Sequence, residues 1–215
     1  QAGVYGLIDQ GHWKWKDYFY NSESGLPGAI VNNRWMNPQR QWDRSFFTQA
    51  SLQKAFGNNY ELMANAKYAH DYMRYLNPDT TLMLIDNTFR QQDFYASLAN
   101  RYTILSNWDI SLSTDVQYNT LTSDMAGFIF PKRLTALVAL ASAIELGKVK
   151  VQGSALGTFV NEKTNKGTTS DNQTSTAAPN KKEFTPALFV SYKPFANHNF
   201  NIRAFYKNIF RMPTL

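Results

Sequence analysis

Hydrophobic and polar residues alternate one by one over long stretches of this chain, and this period restricts the fold more than any other feature. From Ile110 to Tyr118, even-numbered positions carry apolar residues or Thr, and odd-numbered positions carry Ser, Asp or Gln. The same alternation recurs, less strictly, at 149–159 and 200–206. Successive side chains of a β-strand point to opposite faces of its sheet, so the pattern predicts strands with one apolar face.

Eight long strands are predicted from this pattern, with a ninth at 2–8. The eight lie at 42–56, 60–74, 91–105, 108–121, 131–146, 149–163, 183–194 and 199–211. At 131–146 both faces are apolar, so an amphipathic helix competes with a strand there. All eight are far longer than the roughly 5–6 residues typical of strands in soluble proteins.

The predicted connections alternate in length along the chain. Short turns fall at 57–59, 106–107, 147–148 and 194–198, and longer connections fall at 9–41, 75–90, 122–130 and 164–182. Every second connection of an up-and-down sheet lies at the same end. One end therefore carries tight turns and the other carries long loops, as in outer-membrane barrels.

Aromatic residues cluster near the predicted strand ends, which is typical of side chains at membrane–water interfaces. They are Trp42, Phe56, Tyr60, Tyr72, Phe94, Tyr102, Trp108, Tyr118, Phe195 and Phe200.

Composition narrows the class of protein. The 215 residues are 43% hydrophobic, which excludes a disordered chain, and they include no cysteine, which excludes disulfides and thiolate chemistry. The longest apolar segment, 134–146, is shorter than the roughly 18 residues of a transmembrane helix. The mean hydropathy of −0.44 fits a membrane barrel. The net charge of +6 is dispersed and no nucleic-acid-binding motif occurs, so we predict no nucleic-acid partner.

The C-terminal stretch SYKPFANHNFNIRAFYKNIFRMPTL, residues 191–215, is the most specific text in the chain. It resembles the mid-barrel region of TonB-dependent outer-membrane receptors, especially those of Bacteroidetes-like type. The family pattern is a strand with an aromatic-Lys-x-x-Phe-Arg-x-Pro-Thr run. The matching residues are Tyr206, Lys207, Phe210, Arg211, Pro213 and Thr214.

The resemblance implies an all-β fold: an antiparallel up-and-down transmembrane β-barrel, here partial. Complete receptors of the family have about 22 strands around a plug domain. No plug domain and no TonB-box segment is visible in the sequence, and the chain stops at Leu215, within the motif. Residues 1–215 are therefore expected to form a single partial barrel domain, about eight or nine strands from the centre of a larger receptor.

The function implied by the resemblance is nutrient uptake across the bacterial outer membrane, not catalysis. The ligand classes are siderophores, haem, cobalamin and oligosaccharides. The implied partners are outer-membrane lipid, the receptor's own plug domain and the inner-membrane TonB energy complex that pulls on the plug. No cofactor is predicted.

An aromatic segment within the predicted connection 9–41 is the first candidate binding site. Trp13, Trp15 and Tyr18 are interleaved with lysines, and Trp35 follows. Exposed indole and phenol rings stack on sugars and flat cofactors, so this outer loop is a candidate ligand site. The other interpretation is an aromatic girdle on a strand extension at the membrane interface.

Charged residues on the polar sides of the strands form a second candidate set, expected to face the lumen and hydrogen-bond the plug. They are Lys67, Asp71, Arg101, Asp115, Lys150, Arg203 and Lys207. The alternative is that these groups are solvated in a wet interior. Among the three histidines, His12 and His70 are candidate haem ligands, whereas His198 falls at a predicted short turn. The alternative is that they are ordinary polar residues.

The sequence contains no nucleophile–base motif, metal-ligand cluster or glycine-rich phosphate loop, so neither an enzyme activity nor a metal site is predicted. Two alternatives to a receptor fragment stay open. One is a stand-alone eight-stranded outer-membrane barrel, an adhesin or structural protein, in which the strands close on themselves. The other is a soluble all-β ligand-binding module, which folds in water without detergent.

Overall fold

The structure is a computed structural model. It describes residues 1–26, 39–78, 84–164, 180–195 and 200–210, and the backbone alone at 30–31, 34–35, 165–166 and 174–177. The part of the chain described contains no helix long and apolar enough to span a membrane.

Thirteen strands account for almost all of the described backbone. They are β1 (Ala2–Ile8), β2 (Gly11–Gly25), β3 (Ile30–Val31), β4 (Arg34–Trp35), β5 (Arg40–Phe56), β6 (Tyr60–Asn77), β7 (Ile85–Leu105), β8 (Trp108–Ser123), β9 (Ile129–Leu146), β10 (Val149–Lys166), β11 (Thr174–Ala177), β12 (Lys181–Tyr192) and β13 (Ile202–Lys207). The predicted fold class, an all-β antiparallel up-and-down sheet, is confirmed.

The main sheet follows the order of the chain: β1, β2, β5, β6, β7, β8, β9, β10, β12, β13, with β11 pairing on β10. All of its pairings are antiparallel, and β3 and β4 form a separate hairpin. In the described part of the chain, β1 and β13 each pair with one neighbour, so the sheet is open. The eight-stranded closure of the small-barrel alternative is not observed.

The turns divide the sheet into two ends. Residues 9–10, 57–59, 106–107 and 147–148 lie at what we call the short-turn end, and residues 26–39, 78–84, 124–128 and 167–180 lie at the long-connection end. Gly57 and Gly147 have φ of 65° and 61°, a left-handed conformation that favours glycine. The predicted segregation of loop lengths is therefore observed, with one difference. The connection from β12 to β13 spans residues 193–201 rather than a tight turn.

The register gives the sheet an apolar and a polar face. One cross-strand row of the apolar face is Leu52, Ala64, Leu98, Thr114 and Val138. One row of the polar face is Gln49, Lys67, Tyr95, Gln117 and Thr135.

The sheet has a single layer and almost no core. Among the described residues only five are buried: Ala69, Asn119, Thr135, Thr158 and Val160. Leucines of the apolar face are instead exposed, for example Leu112 at 43% and Leu140 at 48%. A sheet of a soluble protein buries at least one face against a second layer, so these leucines need a cover other than water.

Aromatic side chains border the apolar face on both sides across β5 to β8. Toward the short-turn end lie Phe56, Tyr60, Tyr102 and Trp108, and toward the long-connection end lie Phe46, Tyr68, Phe94 and Tyr118. On β6 the segment between the two borders is 60–68, close to the roughly 9–11 residues that a tilted strand needs to cross a bilayer.

Strand predictions hold for all nine predicted segments, and four strands were missed: the long strand β2 and the short strands β3, β4 and β11. Residues 131–146, where a helix competed, lie in β9. The error concerns the connection predicted at 9–41, because Gly11–Gly25 forms β2 and pairs along its length with β5. The turn before β2 has Gln10 at φ 52°, an unusual conformation for a residue other than glycine.

Candidate functional site

The polar face carries every residue expected to face the lumen. Cross-strand pairs place them all on that face, although they are spread over five strands: Lys67, Asp71, Arg101, Asp115, Lys150, Arg203 and Lys207. Arg101, Lys150 and Arg203 lie toward the short-turn end, and Asp71 lies toward the long-connection end. The residues therefore share one face of the sheet but do not come together into one site. That this face lines a lumen and contacts a plug stays a prediction.

Some of these charged side chains already form ion pairs with residues on neighbouring strands of the sheet. Arg101 Nη2 lies 2.8 Å from Asp109 Oδ2, and Thr103 also donates to Asp109 at 2.7 Å. Lys150 Nζ lies 2.5 Å from Glu145 Oε1. These pairs are largely exposed, so they hold neighbouring strands in register with little net stabilisation.

Nearer the long-connection end, a row of polar residues crosses the polar face. Asn119 donates to Asp93, and Arg133 pairs with Glu162. The Arg133 and Glu162 side chains are only 11% and 19% exposed. Removing one partner of such a pair leaves the other charge poorly solvated, so this row fixes the order of β7 to β10.

An aromatic and cationic cluster on the polar face was not predicted as a unit. Tyr18 of β2 and Phe47 of β5 stack with ring centroids 5.1 Å apart. The ammonium groups of Lys67 and Lys16 lie 5.1 Å and 5.8 Å from the Phe47 ring centroid. We call these four residues the Tyr18–Phe47 cluster. Only the pairing of β2 with β5 brings them together. That pairing was not predicted, because the segment was assigned to a loop, with a strand extension only as the alternative.

A concave region of about 590 Å³ lies near the short-turn end of β8 to β13. Ala141, Ala143, Phe189 and Phe205 contribute apolar surface to it from the polar face, and Lys207 also lines it. Phe205 is 81% exposed. Exposed apolar side chains on the polar face favour a protein partner packed against them over an interior filled with water.

The proposed outer-loop site is not a loop and is not one site. Trp13 and Trp15 lie on β2, near the short-turn end, and face the apolar side opposite Leu52 and Ala50. Tyr18 lies on the polar face of the same strand. The prediction that these residues belong to an outer loop is wrong, because β2 pairs on both sides within the sheet.

Trp35 lies on β4 in the separate hairpin, and its side chain falls outside the described part of the structure. The indole of Trp13 lies across the backbone of Gly6, where an added side chain would overlap it. The Trp15 indole donates to Asp17 Oδ1 at 3.0 Å. These contacts support the girdle interpretation of the two tryptophans.

The histidines do not converge either. His12 is on the polar face two residues from the first short turn, and His70 is on the apolar face opposite Phe46. His198 lies outside the described residues. Within the described ranges no group of three or more His, Asp or Glu side chains is placed to hold a metal ion.

The C-terminal motif is described only in part. Tyr206 and Lys207 are on the edge strand β13, with Tyr206 opposite Leu188 and Lys207 opposite Ala187. Phe210 follows the strand, and Arg211, Pro213 and Thr214 lie outside the described residues. The motif's structural role beyond β13 therefore stays a prediction.

Comparison with known proteins identifies the fold. No family model matches the chain, and no curated protein sequence matches it. Among solved structures, the siderophore receptor PiuA from Acinetobacter baumannii matches 91% of this chain with a TM-score of 0.63 at 13% identity. The ferric citrate transporter FecA in the unliganded form matches 92% with a TM-score of 0.58 at 12% identity.

The chain spans 39% of the PiuA structure and 33% of the FecA structure. At these identities the likeness bears on the fold alone. It agrees with the open sheet described above, whose strands follow one another in chain order. The chain has the fold of a receptor-barrel wall, over well under half the length of the receptors it matches.

Proposed function

We propose that this chain forms part of the barrel of a TonB-dependent receptor in the bacterial outer membrane, and that it contributes to nutrient uptake rather than to catalysis. The observation that carries the proposal is the single-layer sheet with a continuous exposed apolar face. Such a face is stable when lipid covers it, and the remaining strands of the receptor would close the sheet into a barrel, which satisfies the backbone groups that lipid cannot.

The same observation argues against a soluble ligand-binding module. A soluble module of this size needs a packed core, whereas only two apolar residues are buried in the described ranges. Residues 1–215 act, in this proposal, as a single partial barrel domain whose remaining strands and plug domain belong to the full receptor.

The concave region lined by Ala141, Ala143, Phe189 and Phe205 supports a plug as the partner of the polar face. Apolar contacts there would complement the hydrogen bonds that Arg203, Lys207 and the other lumen residues offer. Energy for opening the path would come from the TonB complex of the inner membrane acting on that plug.

The Tyr18–Phe47 cluster is the wall's best candidate for contact with the ligand. Two exposed ammonium groups beside stacked rings suit a ligand that combines anionic groups with flat or ring surfaces. Among the ligand classes implied by the family resemblance, siderophores and haem have that chemistry. The outward position of His70 and the place of His12 at the short-turn end argue against either as a haem ligand.

Uptake by cells that carry or lack the gene tests this function. Labelled ferric siderophores, haem, cobalamin and oligosaccharides are supplied in turn, with the inner membrane energised or de-energised. We expect one class to enter only when the gene is present and the membrane is energised. Gene-independent uptake of all four classes would contradict the proposal.

Substitutions in the Tyr18–Phe47 cluster then test whether it contacts the ligand. Lys16→Gln and Lys67→Gln, made as separate single variants, should each weaken ligand binding by the full-length receptor. The matched control is Lys54→Gln, because Lys54 also lies over a ring, that of Phe56 at 5.3 Å, but on the apolar face. Equal loss in all three variants would assign the effect to net charge rather than to the Tyr18–Phe47 cluster.

A further inference from the structure

Basic side chains form a cross-strand row on the apolar face, just beyond its aromatic border at the long-connection end. Arg44 of β5 lies opposite Tyr72 of β6, and Tyr72 lies opposite Arg90 of β7. The row is four residues past Tyr68, or about 14 Å farther along the strand at roughly 3.4 Å per residue. In a membrane barrel this position is the height of the lipid head groups.

The two arginines flank one ring. The guanidinium carbons of Arg44 and Arg90 lie 5.8 Å and 5.9 Å from the Tyr72 ring centroid. Both arginines are exposed. Arg44 Nε donates to Asn21 Oδ1 at 3.1 Å, which orients the guanidinium without neutralising it.

The neighbouring Arg74 differs from Arg44 and Arg90, because an acidic residue already pairs with it. Its guanidinium donates twice to the Asp86 carboxylate, at 2.7 Å each, and lies over the Trp42 ring. Among the ion pairs of the described ranges, none includes Arg44 or Arg90. These two cations therefore retain their capacity for an external anion.

A groove of about 420 Å³ connects the arginines to the apolar surface, and it is lined by Phe19, Arg44, Phe46, His70, Tyr72 and Arg90. Phe19, Phe46 and His70 form the cross-strand row on the membrane side of the arginine row. The groove is thus apolar where acyl chains would lie and cationic where a head group would lie.

We propose that this groove binds the phosphate group of a lipid in the leaflet at the long-connection end, with Arg44 and Arg90 as its ligands. Guanidinium groups bind phosphate oxygens through pairs of parallel N–H donors, and basic pockets at this depth bind anionic head groups. The inference rests on the proposed membrane location of the chain. The groove's apolar floor selects a lipid over a soluble anion.

The test uses the full-length protein in a neutral detergent. Native mass spectrometry measures binding of dioleoyl phosphatidic acid and of dioleoylglycerol, which differ only by the phosphate. We expect the phosphorylated lipid to bind and the neutral lipid not to compete with it. Arg44→Gln and Arg90→Gln should each weaken binding about fivefold.

Arg74→Gln is the matched control, because it removes the same charge from the same face, one cross-strand row farther from the apolar band, but from a guanidinium that Asp86 occupies. It should leave binding unchanged. Arg44→Lys keeps the charge and loses the forked donor pair, so it should weaken binding by less than Arg44→Gln. This charge-conserving variant also separates a lost site from a lost fold, which circular dichroism in the same detergent checks.

Three results would overturn the lipid site. Equal losses in all three Gln variants would indicate a diffuse field, no loss in any would exclude the site, and displacement by millimolar inorganic phosphate would indicate a soluble anion. Each of these leaves the proposed function standing if the protein still requires detergent and supports uptake. A full-length protein that stays monomeric without detergent would instead refute the proposed function.

Discussion

At the scale of single residues, a charged side chain should have opposite effects on the two faces of a strand: destabilising on the apolar face and tolerated on the polar face. On β8, Leu112 lies on the apolar face between Asn100 and Leu140, and Asp115 lies on the polar face between Ser97 and Leu137. Only three positions separate them along the strand. Their responses to the same charged side chain therefore report directly on what covers each face.

Leu112→Arg should lower the free energy of unfolding by about 2–4 kcal/mol, because it places a cation against hydrocarbon near the middle of the band. Asp115→Arg should cost much less, because the polar face already accommodates charge. Urea unfolding of the full-length protein in lipid vesicles measures both, with Leu112→Ala as the control for lost volume. Equal costs would indicate that both faces pack against protein.

The tryptophans of β2 provide a second test at this scale. Replacing Trp13 and Trp15 by Ala should destabilise the protein, since the change exposes the Gly6 backbone and removes interfacial rings. Ligand affinity should stay unchanged, because both indoles face the apolar side. Binding and unfolding measurements on the same preparation separate the two effects. A loss of affinity with intact folding would restore them as binding residues.

At the scale of elements, the long strands were predictable from the sequence with one exception, β2, and the short strands β3, β4 and β11 were not predicted. Strands such as β8 and β10 were predictable because one face is apolar and the other polar. β2 was missed because aromatic residues occupy both of its faces, so Trp13 and Tyr18 give no contrast in polarity. Its turn was hidden as well, because Gln10 replaces the usual Gly or Asn.

The turn at Gln10 is held by contacts that no local sequence pattern contains. The Gln10 carbonyl accepts a hydrogen bond from the Ala55 N–H at 2.8 Å, and its side-chain oxygen accepts one from the Gly57 N–H at 3.2 Å. Both partners belong to the end of β5 and its following turn. Tertiary contacts of this kind outweigh local turn preference, which explains the error. The Tyr18–Phe47 cluster was unpredictable for the same reason.

The Asp124 side chain extends the hydrogen bonding between β7 and β8 just past the end of β8. The backbone N–H of Thr88 donates to Asp124 Oδ1 at 2.7 Å, and this hydrogen bond holds the pKa of the Asp124 carboxyl below its usual value of 3.8. Because the folded pKa is depressed, the stabilisation is present above that value and is lost as the pH falls through the lower folded pKa.

Amide exchange of Thr88 should follow this titration. After correction for intrinsic rates, we expect protection to be constant from neutral pH down to about pH 4 and to fall at lower pH. Asp124→Asn keeps an accepting oxygen that does not titrate in this range, so its Thr88 protection should not change with pH. Parallel acid loss in that variant would place the titrating group elsewhere.

At the scale of the whole molecule, the open sheet leaves two edge strands, and these determine how the isolated chain should behave. β13 pairs with β12 alone and β1 pairs with β2 alone in the described ranges. Unpaired edges beside an apolar face favour association with other chains. The 215-residue chain expressed by itself should therefore need detergent, and alternate amides across 202–207 should exchange quickly there.

Central strand β8, paired on both sides, provides the internal reference for that experiment. Slow exchange throughout 202–207 in a detergent-solubilised monomer would mean that the edges close on each other. That outcome would favour a stand-alone barrel, of ten strands rather than the eight predicted, over a part of a receptor barrel.

Strand order along the chain has a consequence for how such a wall assembles. Because neighbours in the sheet are neighbours in sequence, growth by successive hairpins keeps each loop closure short, and local contacts of this kind form quickly. Each new strand pairs with the strand that formed just before it. Two steps close longer loops than the others, from β2 to β5 across residues 26–39 and from β10 to β12 across residues 167–180. Because the entropy cost of closing a loop rises with its length, these two steps cost the most, and they separate three successive blocks of paired strands.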